Sequence, residues 1–163
     1  MKMIKIEEII EKYKGYEVDE EKLKEFLTPP KHKTVWDLEE GDRYYYFDDY
    51  DGVSLSTWND IDVDITRRYF GNCFLTKEEA EFEVERRKVE AIMLKYGKRE
   101  FKYSVRNYYL YYDHEDNLIR KTMVDTCQSQ GIIFFDDDKV IDQAIKEAGE
   151  DNIKKYIFGV DAE

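Results

Sequence analysis

Apolar positions along this chain follow a helical period at first and a strand period later. Ile6, Ile9, Ile10 and Tyr13 recur three or four residues apart and predict a short amphipathic helix over 4–14, stopped by Gly15. Asp19 caps a second predicted helix carrying Leu23, Phe26 and Leu27, which Pro29-Pro30 terminates before a Lys31-His32-Lys33 linker. Strand-like sequence takes over at Arg43-Tyr44-Tyr45-Tyr46-Phe47, turns at Asp48 to Gly52, and returns through Val53 to Trp58. From Asn59 to Phe70 the pattern is harder to place. Ile61, Val63 and Ile65 alternate with Asp60, Asp62 and Asp64, the period of an edge strand or an extended loop. Phe74-Leu75 read as a short third strand.

The longest helix then begins. Thr76 and Glu79 form a capping box, Leu75 and Ala80 occupy its hydrophobic-staple positions, and Gly97 follows Tyr96 as a C′ glycine. At ~100° per residue, Ala80, Val84, Ala91 and Leu94 share one side, and Phe82, Val89, Met93 and Tyr96 the opposite one. A helix apolar on two sides needs two layers to bury it. After Gly97 the pattern restarts. Asn107 to Tyr112 is a strand, Asp113 to Asn117 a turn, Leu118 to Val124 the return, and Gly131 to Phe135 precedes a helix on Val140, Ile141, Ala144, Ile145 and Ala148. Gly149 stops that helix, and 152–156 make a last helical turn.

The two stretches match in outline. Gly71-x-x-Phe74-Leu75-Thr76 pairs with Gly131-x-x-Phe134-Phe135-Asp136 at a spacing of 60, and Tyr44 to Phe47 with Tyr108 to Tyr111 at 64. Two copies suggest duplication without making a solenoid. The expected fold is therefore α+β: a duplicated β-hairpin–strand–helix unit with small antiparallel sheets, plus an N-terminal helical arm. The expected segments are 1–30 for the arm, 31–97 for the first unit and 98–163 for the second.

Composition narrows the function classes. The chain has 163 residues with 15% aromatic content, which argues against disorder despite 39% charged residues. Cys73 and Cys127 form no CxxC and read as reduced, buried thiols. The start lacks a signal-peptide pattern and no run reaches the length of a membrane span, so a cytoplasmic protein with no membrane partner is expected. A net charge of −12 opposes a phosphate backbone, so direct nucleic-acid binding is not expected. His32 and His114 sit in a linker and a turn with no nucleophile placed beside either. Asp48-Asp49-x-Asp51-Gly52 lacks the ligand alternation of a calcium loop, and no glycine-rich phosphate loop is present. No catalytic residue, cofactor or metal site is therefore assigned, and the chain reads as a non-enzyme.

Charge is uneven. Residues 36–65 hold ten acids against Arg43 alone, a net of −9; residues 86–106 hold eight bases against Glu90 and Glu100, a net of +6. These segments either face each other or serve a partner. The second option makes Asp48, Asp49, Tyr50, Asp51, Trp58, Asp60, Asp62 and Asp64 an acidic docking surface with aromatic anchors for a basic protein. A small-molecule or nucleotide-binding module, with its ligand between the duplicated sheets, is the alternative. Homo-oligomerisation stays open.

Three stretches carry a resemblance: 33–45 (Lys-Thr-Val-Trp-Asp-Leu-Glu-Glu-Gly-Asp-Arg-Tyr-Tyr), 71–81 (Gly-Asn-Cys-Phe-Leu-Thr-Lys-Glu-Glu-Ala-Glu) and 149–156 (Gly-Glu-Asp-Asn-Ile-Lys-Lys-Tyr). Together they resemble a group of small phage and prophage proteins of Gram-positive bacteria. Those motifs are packing and capping motifs, so the resemblance transfers no site. It implies a context: small acidic phage proteins without catalytic motifs are often inhibitors of host systems, anti-CRISPR proteins among them, and some mimic nucleic acid. The expected function is binding and inhibition or modulation of a host protein, with a nucleic-acid-binding defence effector such as a CRISPR nuclease as one such target.

Overall fold

Backbone hydrogen bonds of the two tyrosine-rich hairpins set the frame. In the computed structural model, residues 6–17, 33–48 and 52–160 are described, and the chain divides into two compact units, Met1–Lys33 and Thr34–Glu163. Within the first unit, helix α1 spans Ile6–Lys12. The arm helix predicted from Asp19 and the Pro-Pro linker lie outside the described residues, as do Asp49, Tyr50 and Asp51.

The second unit is α+β, with two antiparallel two-stranded sheets. Strand β1 (Arg43–Phe47) pairs with β2 (Val53–Thr57), Arg43 opposite Thr57; β3 (Asn107–Asp113) pairs with β4 (Leu118–Val124), Asn107 opposite Val124. Each hairpin is extended by one bridging residue: Phe74 beside Tyr45 and Phe135 beside Tyr108. A capped helix follows each bridge, α3 (Lys77–Tyr96) and α4 (Asp138–Ala148). Two further helices complete the unit, α2 (Asp62–Tyr69) ahead of α3 and α5 (Glu150–Ile157) after α4.

The repeat is present, but its register differs from the expected one. Tyr45 and Tyr108 are 63 positions apart, while Phe74 and Phe135 are 61 apart. The helix caps keep the second spacing: Thr76 caps α3, and the counterpart is Asp137, not Asp136. Ladder and cap bonds fix this register, whereas the matched glycines, Gly71 and Gly131, lie in turns outside the strands and helices. The corrected alignment superimposes buried positions: Tyr44 on Asn107, Cys73 on Phe134, Ala80 on Ile141. The copies differ most between hairpin and bridge. Sixteen residues join Thr57 to Phe74 and carry α2, whereas ten join Val124 to Phe135 and carry no helix.

Helix α3 is the shared layer. Its capping box forms as expected, Thr76 Oγ1 accepting from the Glu79 N–H at 3.2 Å and the Glu79 carboxylate accepting from the Thr76 N–H at 3.2 Å. One side packs against β1 and β2; the other buries Val89 and Met93 against Phe135, Ile141, Ala144, Ala148 and Ile153. The two apolar sides thus meet two layers, although Ala91 is exposed.

Gly97 has a different reason from the one its position suggested. Its φ of −118° is open to any residue, so no left-handed cap is formed. Lys98 and Phe134 exchange backbone hydrogen bonds at 2.8 Å beside it. A Cβ on Gly97 would sit 2.6 Å from Ile133 Cγ2 and 2.8 Å from the Phe134 carbonyl oxygen. Gly97→Ala is expected to cost about 1–3 kcal/mol by overpacking, read from the urea midpoint.

Candidate protein-docking face

Helix α2 occupies the stretch whose alternation suggested an extended strand. The alternation is only six residues long and has no neighbouring strand to pair with. Helical spacing instead places 64, 65, 67 and 68 on one side, and that side turns inward. Asp64 is 1% exposed, and Ile65, Arg67 and Arg68 are half-buried. Three of these four inward residues are charged.

The inward charges are held by a hydrogen-bonded network. Asp64 accepts from the Tyr44 hydroxyl at 2.6 Å and from the Asn59 backbone N–H at 2.8 Å. The second bond ties the chain just ahead of α2 to its first turn, where an acid is favoured by the unpaired N–H groups. Arg67 donates to the Tyr44 hydroxyl at 2.9 Å and lies 3.4 Å above the Tyr46 ring. Burial, and then the bond to Asp64, push the Tyr44 hydroxyl above its ordinary pKa, which keeps it a neutral donor. Arg68 lies over the Trp58 ring at 4.3 Å and the Trp36 ring at 5.0 Å, and its buried Nε has no hydrogen-bond partner among the described residues. Cys73 lies beneath the network; burial pushes its thiol up to about 11, so it remains protonated packing and not a nucleophile. Cys127, expected to be buried, is exposed.

With the charges turned inward, the apolar residues face out. At ~100° per residue, positions 62, 63, 66, 69 and 70 fall within about 120° of one another. All five are exposed, Tyr69 by 71% and Phe70 by 77%. Ile61 and Val63 are also exposed. Trp36, 59% exposed, meets Tyr69 edge-on at 5.6 Å between ring centroids. Its position is fixed by a 3-10 turn, Val35–Asp37, where Trp36 N–H donates to Thr34 Oγ1 and the Asp37 carboxylate accepts from the Thr34 N–H. The outer face therefore carries Trp36, Tyr69 and Phe70 towards the end of α2, and Asp60 and Asp62 at its start. The turn bearing Glu39 and Glu40 adjoins the start, because Gly41 and Asp42 exchange backbone bonds with Trp58.

The predicted docking residues divide accordingly. Asp60 and Asp62 lie on the outer face, Asp60 with a φ of 55° that an aspartate tolerates. Trp58, 2% exposed, and Asp64 are inside the fold and leave the candidate surface. Trp58 is needed against Tyr44 and Arg68, and Asp64 against Tyr44. Asp48 is half-buried and accepts from the Ser54 hydroxyl at 2.7 Å. Trp36, Tyr69 and Phe70 were missed. A helical wheel drawn from Asp62 to Phe70, in place of a strand count, would have grouped Tyr69 and Phe70 opposite Asp64.

The basic stretch after Arg86 finds its partners elsewhere. Arg86 and Arg87 pair with Glu83, Lys88 with Glu85, and Arg99 with Glu90, all from α3 or just beyond it. Lys95 pairs with Glu147, and Lys98 with Asp136. These bases are thus engaged by acids outside residues 36–65. Among the described residues, no ion pair engages Asp60, Asp62, Glu39 or Glu40.

No protein-family model, curated protein or solved structure matches the chain. Among the described residues, no helix is long and apolar enough to cross a membrane, and no group of three or more His, Cys, Asp or Glu could hold a metal ion.

Proposed function

We propose that this protein is a non-enzymatic binding module that docks on a basic host protein through the outer face of α2 and inhibits or modulates it. The observation that carries this reading is the inverted polarity of α2, with Asp64, Arg67 and Arg68 inward and Val63, Tyr69 and Phe70 outward. A surface helix ordinarily has the opposite arrangement, and a contiguous exposed apolar patch with a polar rim marks an interaction site. Trp, Tyr and Arg are also the residues that dominate binding hot spots. The helix is absent from the second repeat, so it is an addition to the scaffold. Function is commonly carried on such connecting segments. The resemblance to phage and prophage proteins supports a bacterial partner. A defence effector with a nucleic-acid channel is a class that the acidic rim suits.

Rim charge is expected to set the speed of docking. Charge reversal at Asp60 and Asp62, as Asp60→Lys with Asp62→Lys, should slow association with the captured host protein about tenfold at low salt, and the difference should shrink at high salt. Surface plasmon resonance across a salt series measures both. Unchanged association at low salt would remove the electrostatic part of the proposal. Asp64 is left intact in this variant because its carboxylate belongs to the core.

A further inference from the structure

The second repeat contains a cleft of about 290 Å³, at the lower edge of the ~300–1,000 Å³ typical of ligand pockets. Its floor is apolar: Met93 of α3, Leu110 of β3, Ile132 of the connection, and Ile157 and Phe158 at the end of α5. Arg86 stands in its wall, but its charge is already committed. Its Nε and Nη2 donate to the Glu83 carboxylate at 2.6 and 2.8 Å, and its Nη1 donates to Glu90 at 3.2 Å. A phosphate or carboxylate entering here would meet the Glu90 carboxylate in the wall, beside a guanidinium whose charge two carboxylates already offset. Nucleotides are therefore disfavoured, and so is any anion.

The first repeat shows which shape suits the space. In the register fixed by the bridges, Phe47 corresponds to Leu110 and Gly71 to Ile132. There the niche is filled by the flat guanidinium of Arg87, 4.5 Å from the Phe47 ring centroid and with Nη2 3.5 Å from the Gly71 carbonyl oxygen. At the helix spacing of 61 the counterpart of Arg87 is Ala148, a side chain that does not reach the cleft lining, while Arg86 is held in the cleft wall by Glu83 and Glu90. We propose that the cleft binds a small, uncharged, planar aromatic molecule of one or two fused rings, lying against Leu110 as the Arg87 guanidinium lies against Phe47. This site takes no residue from the outer face of α2 and is independent of the docking reading.

The four methionines, Met1, Met3, Met93 and Met123, supply a direct probe. Met93 is 3% exposed and lines the cleft, while Met123 is 47% exposed on β4 and does not. The chain labelled with methyl-13C methionine is titrated with indole, and separately with adenosine monophosphate. Indole should shift the Met93 methyl saturably at millimolar concentration and leave Met123 in place; the nucleotide should move neither. Ile132→Phe fills the cleft from a half-buried connection and should abolish the indole shift. An unmoved Met123 signal in that variant reports that the fold is intact. Gln130→Trp, at the rim of the cleft, serves the same purpose should Ile132→Phe disturb it. A Met93 methyl unmoved by indole, equal shifts at both methyls, or tighter binding of the nucleotide would each overturn the proposal.

Discussion

Asp64→Ala is expected to destabilise the second unit by about 2–5 kcal/mol, at ~1–3 kcal/mol for each of the two donors it leaves without an acceptor. The carboxylate accepts two hydrogen bonds, and its loss strands both donors. The Tyr44 hydroxyl, in a side chain 0% exposed, would lose this acceptor while still receiving the bond from Arg67. The Asn59 N–H would lose its acceptor, loosening the entry to α2. Asp64→Asn preserves the volume and one acceptor oxygen, so it should cost less than the alanine variant. Asp62→Ala, on the exposed side of the same turn, should stay within about 0.5 kcal/mol of the parent. Urea unfolding of the three variants gives the order. Equal stabilities for Asp64→Ala and Asp62→Ala would show that the inward network does not hold α2.

Truncating the aromatic end of the outer face should do the reverse, sparing stability and removing binding. Tyr69→Ala with Phe70→Ala deletes two rings that are mostly in water, so the fold loses little buried area. Binding should fall by at least about 30-fold, the equivalent of the ~2 kcal/mol that defines a hot spot. Trp36→Ala should weaken binding as well. Its edge contact with Tyr69 and its cover over Arg68 make it partly structural, so it should also lower stability slightly. Isothermal titration against the captured partner, with urea unfolding of the same samples, separates the two effects. A Tyr69/Phe70 double variant that binds as tightly as the parent would place the interface elsewhere.

What the sequence revealed and what it hid follow from the range of the forces involved. Thr76 with Glu79 announces the start of α3 because a capping box is made within four residues. The tyrosine strands and their turns are similarly local, and the two-sided pattern of Val89 and Met93 against Ala80 foretold a helix between two layers. Residues 59–70 failed for the complementary reason. The decisive bond of Asp64 is to Tyr44, twenty positions earlier, and Arg67 and Arg68 are placed by aromatic rings of other elements. A short polar–apolar alternation cannot show that its polar members turn inward. Trp58 misled for a related reason: a tryptophan among acids reads as a surface anchor until Tyr44 and Arg68 are seen against its faces. The charge map erred through its windows. Counting 86–106 alone left out Glu83, Glu85, Asp136 and Glu147, the acids that engage that basic stretch.

Amide hydrogen exchange of the chain, free and bound to its captured partner, tests the docking face most directly. Slowed exchange confined to 34–37 and 61–71 is the predicted footprint, with β3 and β4 unchanged. Protection centred on the β3–β4 hairpin, with 61–71 exchanging as in the free chain, would contradict it.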